Sequence, residues 1–472
     1  MARIVQTNKP LSVNPLRVSQ PMGAALAFLG LNRAIPLEHG AQGCTAFSKV
    51  FFTRHFREPV PLQTTAMDMV STIMGSDERL QEGITTVIQN NQPEVVGVIT
   101  TGLVEMQGAD IQGVLRTFKA SSNEAADVVA VNTPDTLGGL ESGFALAVKA
   151  IVDALVLSPV KVKLPMHPRR INVLASSMLT PADIEAIREW IESFGLEALF
   201  LPDLSDSLDG HLTKEGYTTL TTGGTRRADI ASMGTSALTI VIGDSLGAAA
   251  DLLRERTGLA DVRLPGLSSL ADCDAFIQAL VDVSGQPAAA RIVRQREQLL
   301  DALVDSYAAL GDVRIAMGAD ADQLVALSRL LGDVGARLVT AVSPCSTPAL
   351  EALPLEQVVV GDFEDLEEHA QTAAAQLLIG NSHALQSAQR LGIPLLRAGF
   401  PQYDFYGAAA RQWVGYRGAR QLIFDIANLL AEQRTCSIAP YHSPLRQGFS
   451  DDVTSGAARP VDSPALARSF FS

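Results

Sequence analysis

Short apolar runs rich in β-branched residues alternate with longer amphipathic segments along this chain, and this alternation constrains its fold more than any other feature. The runs that predict strands are Val95–Thr100, Ile171–Ala175, Ala198–Leu201, Leu238–Ile242, Val313–Met317, Leu338–Val342, Leu377–Ile379 and Ile393–Arg397. Segments such as Ala248–Arg256 and Ala321–Leu331 have the apolar spacing of helices that bury one face. This order is typical of parallel sheets with helices on both faces, so the sequence predicts an α/β fold.

The segment after Ile171–Ala175 carries signals for both ends of a helix. Thr180 is suited to cap the first turn, Pro181 fits the first helical position, and Asp183 complements the positive end of the helix dipole. Gly195 marks the expected end. The apolar residues between these signals share one helical face: Ile184, Ile187, Ile191 and Phe194. This predicts an amphipathic helix that packs on the sheet.

The length of 472 residues suits about three domains of ordinary size. Two segments are typical of domain boundaries, a stretch rich in proline and basic residues at 158–170 and the turn Ser284–Pro287. We therefore expect three α/β domains, at residues 1–160, 161–287 and 288–441. Residues 442–472 are polar and rich in glycine, proline and serine, which indicates a C-terminal arm or tail.

Charge and hydropathy exclude several classes of protein. With 37 Lys and Arg against 51 Asp and Glu, the net charge is −14, the opposite of a nucleic-acid-binding surface. No apolar run is long enough to cross a membrane, and the first residues lack the apolar core of a secretion signal. The four cysteines are spaced too widely for a disulfide scaffold or a zinc finger. We expect a cytoplasmic protein that binds neither nucleic acid nor membrane.

Cys44 has the most reactive local setting among the cysteines. It follows two glycines and precedes a helix-like stretch, so its sulfur is expected at a helix N-terminus. Unpaired amide groups and the helix dipole favour the thiolate there, and a thiolate can ligate a metal or an iron–sulfur cluster. The other interpretation is a small buried hydrophobe, which is how we interpret Cys273, Cys345 and Cys436. Local chemistry leaves both interpretations of Cys44 open.

The segment Gly243–Gly247 matches the G-x-S-x-G pattern of serine hydrolases, with Ser245 as the candidate nucleophile. It follows an expected strand and precedes an expected helix, which is the context that the pattern needs. However, none of the seven histidines lies three positions after an aspartate, where a related esterase family places its base. The other interpretation is that Asp244 and Ser245 cap a helix at the end of a strand.

Two more loops carry weaker signals. Gly138–Gly143 has three glycines before a helix but lacks the spacing of a dinucleotide-binding loop and a clear strand before it, so it predicts a plain helix entry. Thr100–Glu105 lies at the carboxyl end of an expected parallel strand, where ligands of α/β proteins bind, but it offers no strong ligand. It predicts a tight turn from strand to helix. The histidines have no spacing that indicates a metal site.

Seven segments, in order along the chain, form a pattern that is found in a known family: Ser19–Ala24, His39–Cys44, Arg54–Pro59, Thr100–Glu105, Gly223–Thr225, Ile379–Ser382 and Leu396–Pro401. In these segments the chain resembles the β-type subunits of nitrogenase component 1. The resemblance covers most of the chain and is most specific near its beginning. It implies the fold of that family, with three Rossmann-like domains that meet around a cleft.

This chain differs from the catalytic β subunits at two of their three cysteine positions, which limits the part of the family that it resembles. In catalytic β subunits three cysteines help to hold an eight-iron cluster, and the matching positions here are Ser19, Cys44 and Gly102. Glycine cannot ligate and serine poorly replaces a bridging thiolate, so the resemblance does not extend to that cluster. A single retained cysteine resembles the N-type subunits of the scaffold on which the iron–molybdenum cofactor is matured. There the cysteine joins three from an E-type partner around a [4Fe–4S] cluster.

The resemblance implies a β-type subunit of an α2β2 scaffold complex, with Cys44 as its cluster ligand and no catalytic residue. One cysteine agrees with a shared site, because a [4Fe–4S] cluster usually takes four thiolates. The implied partners are the E-type subunit, which mainly holds the cofactor precursor, the nitrogenase iron protein and a precursor-donor protein. Three alternatives stay open: a subunit of a nitrogenase-like reductase of the protochlorophyllide type, a catalytic nitrogenase β subunit, and a serine hydrolase that uses Ser245.

Overall fold

The strands of this chain form three parallel sheets. A computed structural model describes residues 1–9, 11–121, 126–134, 136–158, 165–212, 216 and 218–435. In this part of the chain the strands are β1 Arg3–Gln6, β2 Ala34–His39, β3 Gln63–Thr64, β4 Val95–Thr100, β5 Asp127–Val131, β6 His167–Ala175, β7 Glu197–Leu201, β8 Ser236–Ile242, β9 Asp261–Leu264, β10 Arg314–Gly318, β11 Arg337–Ser343, β12 Gln357–Val360, β13 Leu377–Gly380 and β14 Leu395–Arg397. All of them pair in parallel, as predicted.

Helices connect and cover these strands, because parallel neighbours need crossover connections. The helices are α1 Gln20–Leu29, α2 Gln42–Phe56, α3 Met69–Met74, α4 Asp77–Asn91, α5 Gly102–Gln107, α6 Ile111–Ser121, α7 Leu140–Leu155, α8 Pro181–Ser193, α9 Arg227–Ala231, α10 Gly247–Thr257, α11 Leu270–Ser284, α12 Ala290–Leu310, α13 Ala321–Asp333, α14 Phe363–Thr372, α15 Leu385–Leu391 and α16 Gly415–Thr435. Among the described residues, no helix combines the length and the apolar character that a membrane span requires.

The order of strands brings the ends of β2 and β4 together. The first sheet has the order β3-β2-β4-β5, the second β7-β6-β8-β9, and the third β1-β12-β11-β10-β13-β14. β2 and β4 are in register over their whole length, and His39 lies opposite Thr100. Since both strands run the same way, they finish side by side at the carboxyl edge of the first sheet. The helices that follow, α2 and α5, therefore begin next to each other.

One apolar core joins the three sheets. It contains Phe28 of α1, Val173 of β6 and Ile315 of β10 in a single cluster of buried side chains. Smaller clusters cover the other face of the first sheet, around Val96, and of the third sheet, around Phe363. The three sheets therefore pack as one body around shared apolar contacts.

α1 is the central helix of this core, with every one of its residues buried. It packs against α7 on one side and against β2 and β4 on the other. Two glycines allow the helix backbones to approach closely: a Cβ added at Gly23 would lie 1.9 Å from the Leu140 carbonyl oxygen, and one at Gly143 would lie 1.9 Å from that of Gln20. A helix that is apolar on all sides is typical of such a buried position.

The elements predicted from local patterns are confirmed. β4 is the predicted Val95–Thr100, and α8 begins at Pro181 as expected. The Thr180 hydroxyl accepts a hydrogen bond from the Asp183 N–H at 3.1 Å, and the Asp183 carboxylate accepts one from the Thr180 N–H at 3.0 Å. α8 ends at Ser193, and Gly195 then adopts the left-handed conformation, with φ of 67°.

The first strand departs from the expected order of domains. β1 pairs with β12 at the edge of the third sheet, with Arg3 opposite Gln357, rather than joining the first sheet. These partners are 354 positions apart, so no local pattern could assign the pairing. The domain boundaries at residues 160, 287 and 441 stay predictions. Residues 159–164, within the first boundary segment, and the expected tail at 442–472 lie outside the described residues.

Gly23→Ala tests the close approach of α1 and α7. The added methyl group would meet a backbone carbonyl that cannot swing aside, so we expect the free energy of unfolding to fall by about 1–3 kcal/mol or more in urea denaturation. The control is Gly332→Ala in α13, where an added Cβ meets nothing within 4 Å. That change should preserve stability or raise it by up to about 1 kcal/mol. Equal losses in both variants would contradict the close approach.

Candidate metal centre

Cys44 lies on the surface at the start of α2, directly after the carboxyl end of β2. α2 begins at Gln42, and the Cys44 N–H donates to the Ala41 carbonyl at 3.2 Å. Gln42, Gly43 and Cys44 are all exposed. The predicted placement at a helix N-terminus is confirmed, and the interpretation of Cys44 as a buried hydrophobe is wrong.

The first turn of α2 suits an anionic ligand. It carries no acidic side chain, and no side-chain hydrogen bond caps it. The first N–H groups of a helix have no partner within the helix, and the aligned peptide dipoles make that end partly positive. A thiolate is stabilised in this setting, as is negative charge on a group that the thiolate binds.

Glu38 anchors the first two turns of α2 to the sheet beneath them. This β2 residue is only 1% exposed, and its carboxylate accepts hydrogen bonds from the hydroxyls of Thr45 at 2.7 Å and Ser48 at 2.9 Å. Hydrogen bonds to a buried carboxylate are strong and directional. Because Thr45 adjoins Cys44, these contacts fix the turn that presents the sulfur. Sequence reasoning missed Glu38, although a glutamate inside an apolar strand is the kind of signal that could have found it.

His39 and Thr101 hold the starts of α2 and α5 together. His39 is fully buried, and its ring nitrogens lie 2.9 Å from the Thr65 hydroxyl and 3.1 Å from the Ser76 hydroxyl. Burial lowers the pKa of His39 to about 4, so the ring is neutral at pH 7. The Thr101 hydroxyl donates to the His39 carbonyl at 3.1 Å. A side chain at Gly40 would clash with Thr101, because an added Cβ would lie 2.4 Å from its hydroxyl oxygen.

The other two positions from the family pattern fall on separate helix starts. Gly102 is the first residue of α5, so the predicted tight turn at Thr100–Glu105 is confirmed and Gly102 lies at the strand end next to that of Cys44. Ser19 is the N-cap of α1 and lines a surface cavity of about 430 Å³ with Lys9 and Arg17. Among the described residues, no group of three or more His, Cys, Asp or Glu side chains is placed to hold a metal ion.

An exposed apolar surface lies beside Cys44, and we call it the apolar edge. It comprises Phe47 and Val50 of α2, Met69, Val70, Ile73 and Met74 of α3, and Met106 of α5, which are between 52% and 90% exposed. The Met67 N–H, just before α3, donates to the Gly40 carbonyl at 2.9 Å, and the Gln107 amide of α5 donates to the Ser71 carbonyl at 2.9 Å. These bonds join α3 to both neighbouring helix starts. Exposed apolar groups in this number are typical of a protein interface.

Ser245 has a structural partner rather than a catalytic one. Its hydroxyl donates to the Asp322 carboxylate at 2.6 Å, and its N–H donates to the same carboxylate at 3.0 Å. Gly243 has φ of 101°, so the sharp turn that the pattern predicts is present. However, no histidine is among the described residues that line the adjacent cavity. The expectation that Asp244 and Ser245 cap the following helix is also wrong, because no side-chain hydrogen bond caps the turn Asp244–Leu246 or the start of α10. Ser245 instead joins this turn to the start of α13.

The other sequence candidates are placed as follows. Cys273 is buried, as predicted, and its thiol donates to the Leu267 carbonyl at 3.2 Å. Cys345 is only partly buried, so the expectation of a core position is wrong for it. Cys436 lies outside the described residues. Gly139 caps α7, which confirms a plain helix entry at Gly138–Gly143, although the expected absence of a preceding strand is wrong because β5 precedes it.

Comparison with known proteins defines the class. The family model of nitrogenase component 1 type oxidoreductases matches residues 19–431. A solved structure, nitrogenase Cp1 at pH 6.5, has a TM-score of 0.86 and 28% identity, covering 92% of this chain and 96% of that one. Another, nitrogenase Cp1 at pH 5, has a TM-score of 0.69 at 14% identity and shows the fold alone. The chain belongs to the nitrogenase component 1 type oxidoreductase family, and the predicted fold is confirmed.

Comparison with individual proteins of this family gives a more specific result. The chain is 42% identical to the nitrogenase iron-molybdenum cofactor biosynthesis protein NifN of Klebsiella pneumoniae, over 98% of this chain and 100% of that protein. It is 42% identical to NifN of Rippkaea orientalis, over 92% and 97%. It is 40% identical to NifN of Bradyrhizobium diazoefficiens, over 92% of each. The resemblance to the N-type subunits is therefore confirmed over nearly the whole chain.

Glu38→Ala tests the anchoring of the Cys44 turn. The change removes the carboxylate that accepts from the buried Thr45 and Ser48 hydroxyls, and Ser48 has a second acceptor in the Cys44 carbonyl at 3.2 Å. We therefore expect the free energy of unfolding to fall by about 1–3 kcal/mol, mainly through the unsatisfied Thr45 hydroxyl. Hydrogen exchange measured by mass spectrometry should also show faster exchange in residues 42–48. The control is Glu255→Ala, an exposed glutamate of α10, which should change neither quantity appreciably. Unchanged protection of α2 in Glu38→Ala would contradict the anchoring role.

Proposed function

We propose that this chain is the β-type subunit of the scaffold complex on which the iron–molybdenum cofactor of nitrogenase is matured before its transfer to apo-nitrogenase. The observation that carries the proposal is the exposed Cys44 at a helix N-terminus, beside the apolar edge. Relatives named for biosynthesis of this cofactor, at 40–42% identity, support it. In this role the chain has no catalytic residue of its own and works in the cytoplasm, without nucleic-acid or membrane partners.

In this proposal Cys44 gives one thiolate to a [4Fe–4S] cluster shared with an E-type subunit. Such a cluster usually takes four thiolates, and the neighbouring helix start supplies only Gly102. The remaining ligands then come from the partner. The cluster supplies one-electron transfer when it is bound. The part of this chain is to hold the sulfur in place through Glu38 and to surround it with backbone N–H groups.

The apolar edge supplies the kind of surface that a partner subunit covers. Its methionines and phenylalanine are among the residue types enriched at the centres of protein interfaces. We assign the part next to Cys44 to the E-type subunit, because that subunit must reach the sulfur to share a cluster with it. The iron protein and the precursor donor then dock on the assembled complex, and the precursor is held mainly by the E-type subunit.

A catalytic nitrogenase β subunit is the less supported alternative. Ser19 and Gly102 occupy the positions at which that subunit needs thiolates. Among the described residues, no group of three or more His, Cys, Asp or Glu side chains is placed to hold a metal instead. Identity also favours biosynthesis, with 42% to the NifN relatives against 28% to the solved nitrogenase chain.

α12 provides a second surface, which suits the pairing of two copies in an α2β2 assembly. Its inner side packs on α16, whereas one outer side exposes an apolar stripe. The stripe comprises Val293, Leu300, Val304 and Tyr307. Exposed Arg291 and Arg294 lie near its beginning, and exposed Asp301 and Asp305 lie near its end. Antiparallel pairing across a two-fold axis would place the basic part of one copy opposite the acidic part of the other.

Cys44→Ala tests the shared cluster. We expect the complex co-purified anaerobically with its E-type partner to lose most of the iron and sulfide of the interfacial cluster, because one of four ligands is missing. The matched control is Cys273→Ser, which removes a thiol from the core but keeps a hydrogen-bond donor for the Leu267 carbonyl. Iron and sulfide contents that are the same in Cys44→Ala as in the unaltered complex would contradict the assignment.

Val304→Glu tests the second surface. A charge in the middle of the α12 stripe should prevent pairing of two copies, so we expect the mass of the co-purified complex to fall by about half in analytical ultracentrifugation. The cluster content per heterodimer should stay unchanged. Leu212→Glu, at a fully exposed leucine outside α12, is the control and should preserve the tetramer. A tetramer that persists in Val304→Glu would exclude α12 as the pairing surface.

A further inference from the structure

A cavity of about 710 Å³ lies where the carboxyl edges of the three sheets meet. The start of α7 lines it after β5, the turn Asp244–Leu246 after β8, the start of α13 after β10, and the turn Pro348–Ala352 after β11. In open parallel sheets, ligands bind in crevices at the carboxyl ends of strands. The volume is within the range of pockets that hold small organic molecules. The cavity is separate from Cys44, which does not line it.

The walls of this cavity are mainly apolar. The residues that form them are Ala145 and Leu146 of α7, Ala248 of α10, and Pro348 and Ala349 of the turn after β11. Walls of this kind, with a few polar groups at fixed positions, are typical of small-molecule sites. They favour a ligand with a hydrocarbon part.

The floor is polar, and part of its hydrogen-bonding capacity is unused. Glu141 and Asp322 are 7% and 2% exposed, and one oxygen of Glu141 accepts from the Asp322 N–H at 2.8 Å. Both oxygens of Asp322 accept from Ser245. The second oxygen of Glu141 accepts no hydrogen bond from the described part of the chain, and the buried Thr347 hydroxyl has no partner there. A ligand that donates hydrogen bonds would satisfy these groups.

The charges of the residues that line the cavity indicate which hydrogen-bond-donating ligands would fit it. Three lining residues are acidic, Glu141, Asp244 and Asp322, and one is basic. The basic one, Lys149, is exposed and lies eight positions along α7 from Glu141, or about 12 Å by helical rise. Burial raises the pKa of Glu141 well above its usual range, and it raises that of Asp322 to about 6. An anion would find no cation at the floor, whereas a bound cation would stabilise the ionised forms of both buried carboxyls and so lower their raised pKa values.

We infer that this cavity is a binding site for a small organic cation, an ammonium or guanidinium group on an apolar chain. The cationic group donates to Glu141 and Thr347, and the chain packs against Leu146 and Ala248. A metal ion is a poorer fit, since the described residues hold no group of three ligands placed for one. The inference is independent of the cluster proposed at Cys44.

Isothermal titration calorimetry of the full-length chain tests this inference with three probes of equal length: n-hexylammonium, 1-hexanol and hexanoate. We expect n-hexylammonium to bind with a Kd below about 1 mM and to bind at least about tenfold more tightly than the neutral and anionic probes. Glu141→Gln should weaken n-hexylammonium binding about tenfold or more, while its amide oxygen can still accept from the Asp322 N–H. Ala145→Leu, which fills part of the cavity, should weaken all binding.

Lys149→Met is the control at the mouth of the cavity. It should change n-hexylammonium binding by no more than about twofold, because exposed charges this far apart are largely screened. Circular dichroism melting verifies that each variant is folded. Binding that is equal for n-hexylammonium and 1-hexanol, binding that Glu141→Gln leaves unchanged, or the absence of heat with every probe would each overturn the inference.

Discussion

The parallel pairing of β2 with β4 determines what this chain can present at its surface. His39 and Thr100 lie opposite each other at the ends of these strands, so the helices that follow begin side by side. The hydrogen bond from Thr101 to the His39 carbonyl holds the two starts together. The partly positive ends of α2 and α5 therefore lie at one place, where one helix presents the sulfur of Cys44 and the other begins with Gly102.

Parallel strands also end side by side where the three sheets meet. Strands β5, β8, β10 and β11 end around one cavity, and the segments that follow them begin there. Carboxylates from one element accept from N–H groups at the start of another: Glu141 of α7 from Asp322, and Asp322 of α13 from Ser245. These contacts connect segments that follow the first, second and third sheets. The molecule thus has two sites at strand ends: the surface at Cys44, which we propose a partner subunit covers, and the cavity that this chain forms by itself.

Local chemistry made much of the fold predictable from the sequence. The strand Val95–Thr100 is a bounded β-branched run, and Thr180, Pro181 and Asp183 use capping chemistry that acts over three residues. Long-range contacts were not predictable in this way. The pairing of β1 with β12, the anchoring of α2 by Glu38 and the exposure of the apolar edge each depend on which distant segments meet.

The candidate metal centre was likewise predictable from local sequence only in part. The position of Cys44 at a helix N-terminus follows from two glycines and a helix-like stretch, whereas its exposure depends on which distant segments pack around that helix start. Ser245 matches a catalytic pattern locally, yet its hydroxyl is bound by Asp322, which is 77 positions away. The sequence around a residue thus indicates which chemistry its side chain can perform. Its role in the protein depends on the residues that contact it in the fold.

A cryo-electron microscopy map of the complex, purified anaerobically with its E-type partner, would show whether Cys44 ligates a shared cluster. We expect density for an iron–sulfur cluster between the two chains, with the Cys44 sulfur as the one ligand from this chain. A map in which that sulfur contacts no metal, or in which this chain contributes a second ligand, would contradict this expectation.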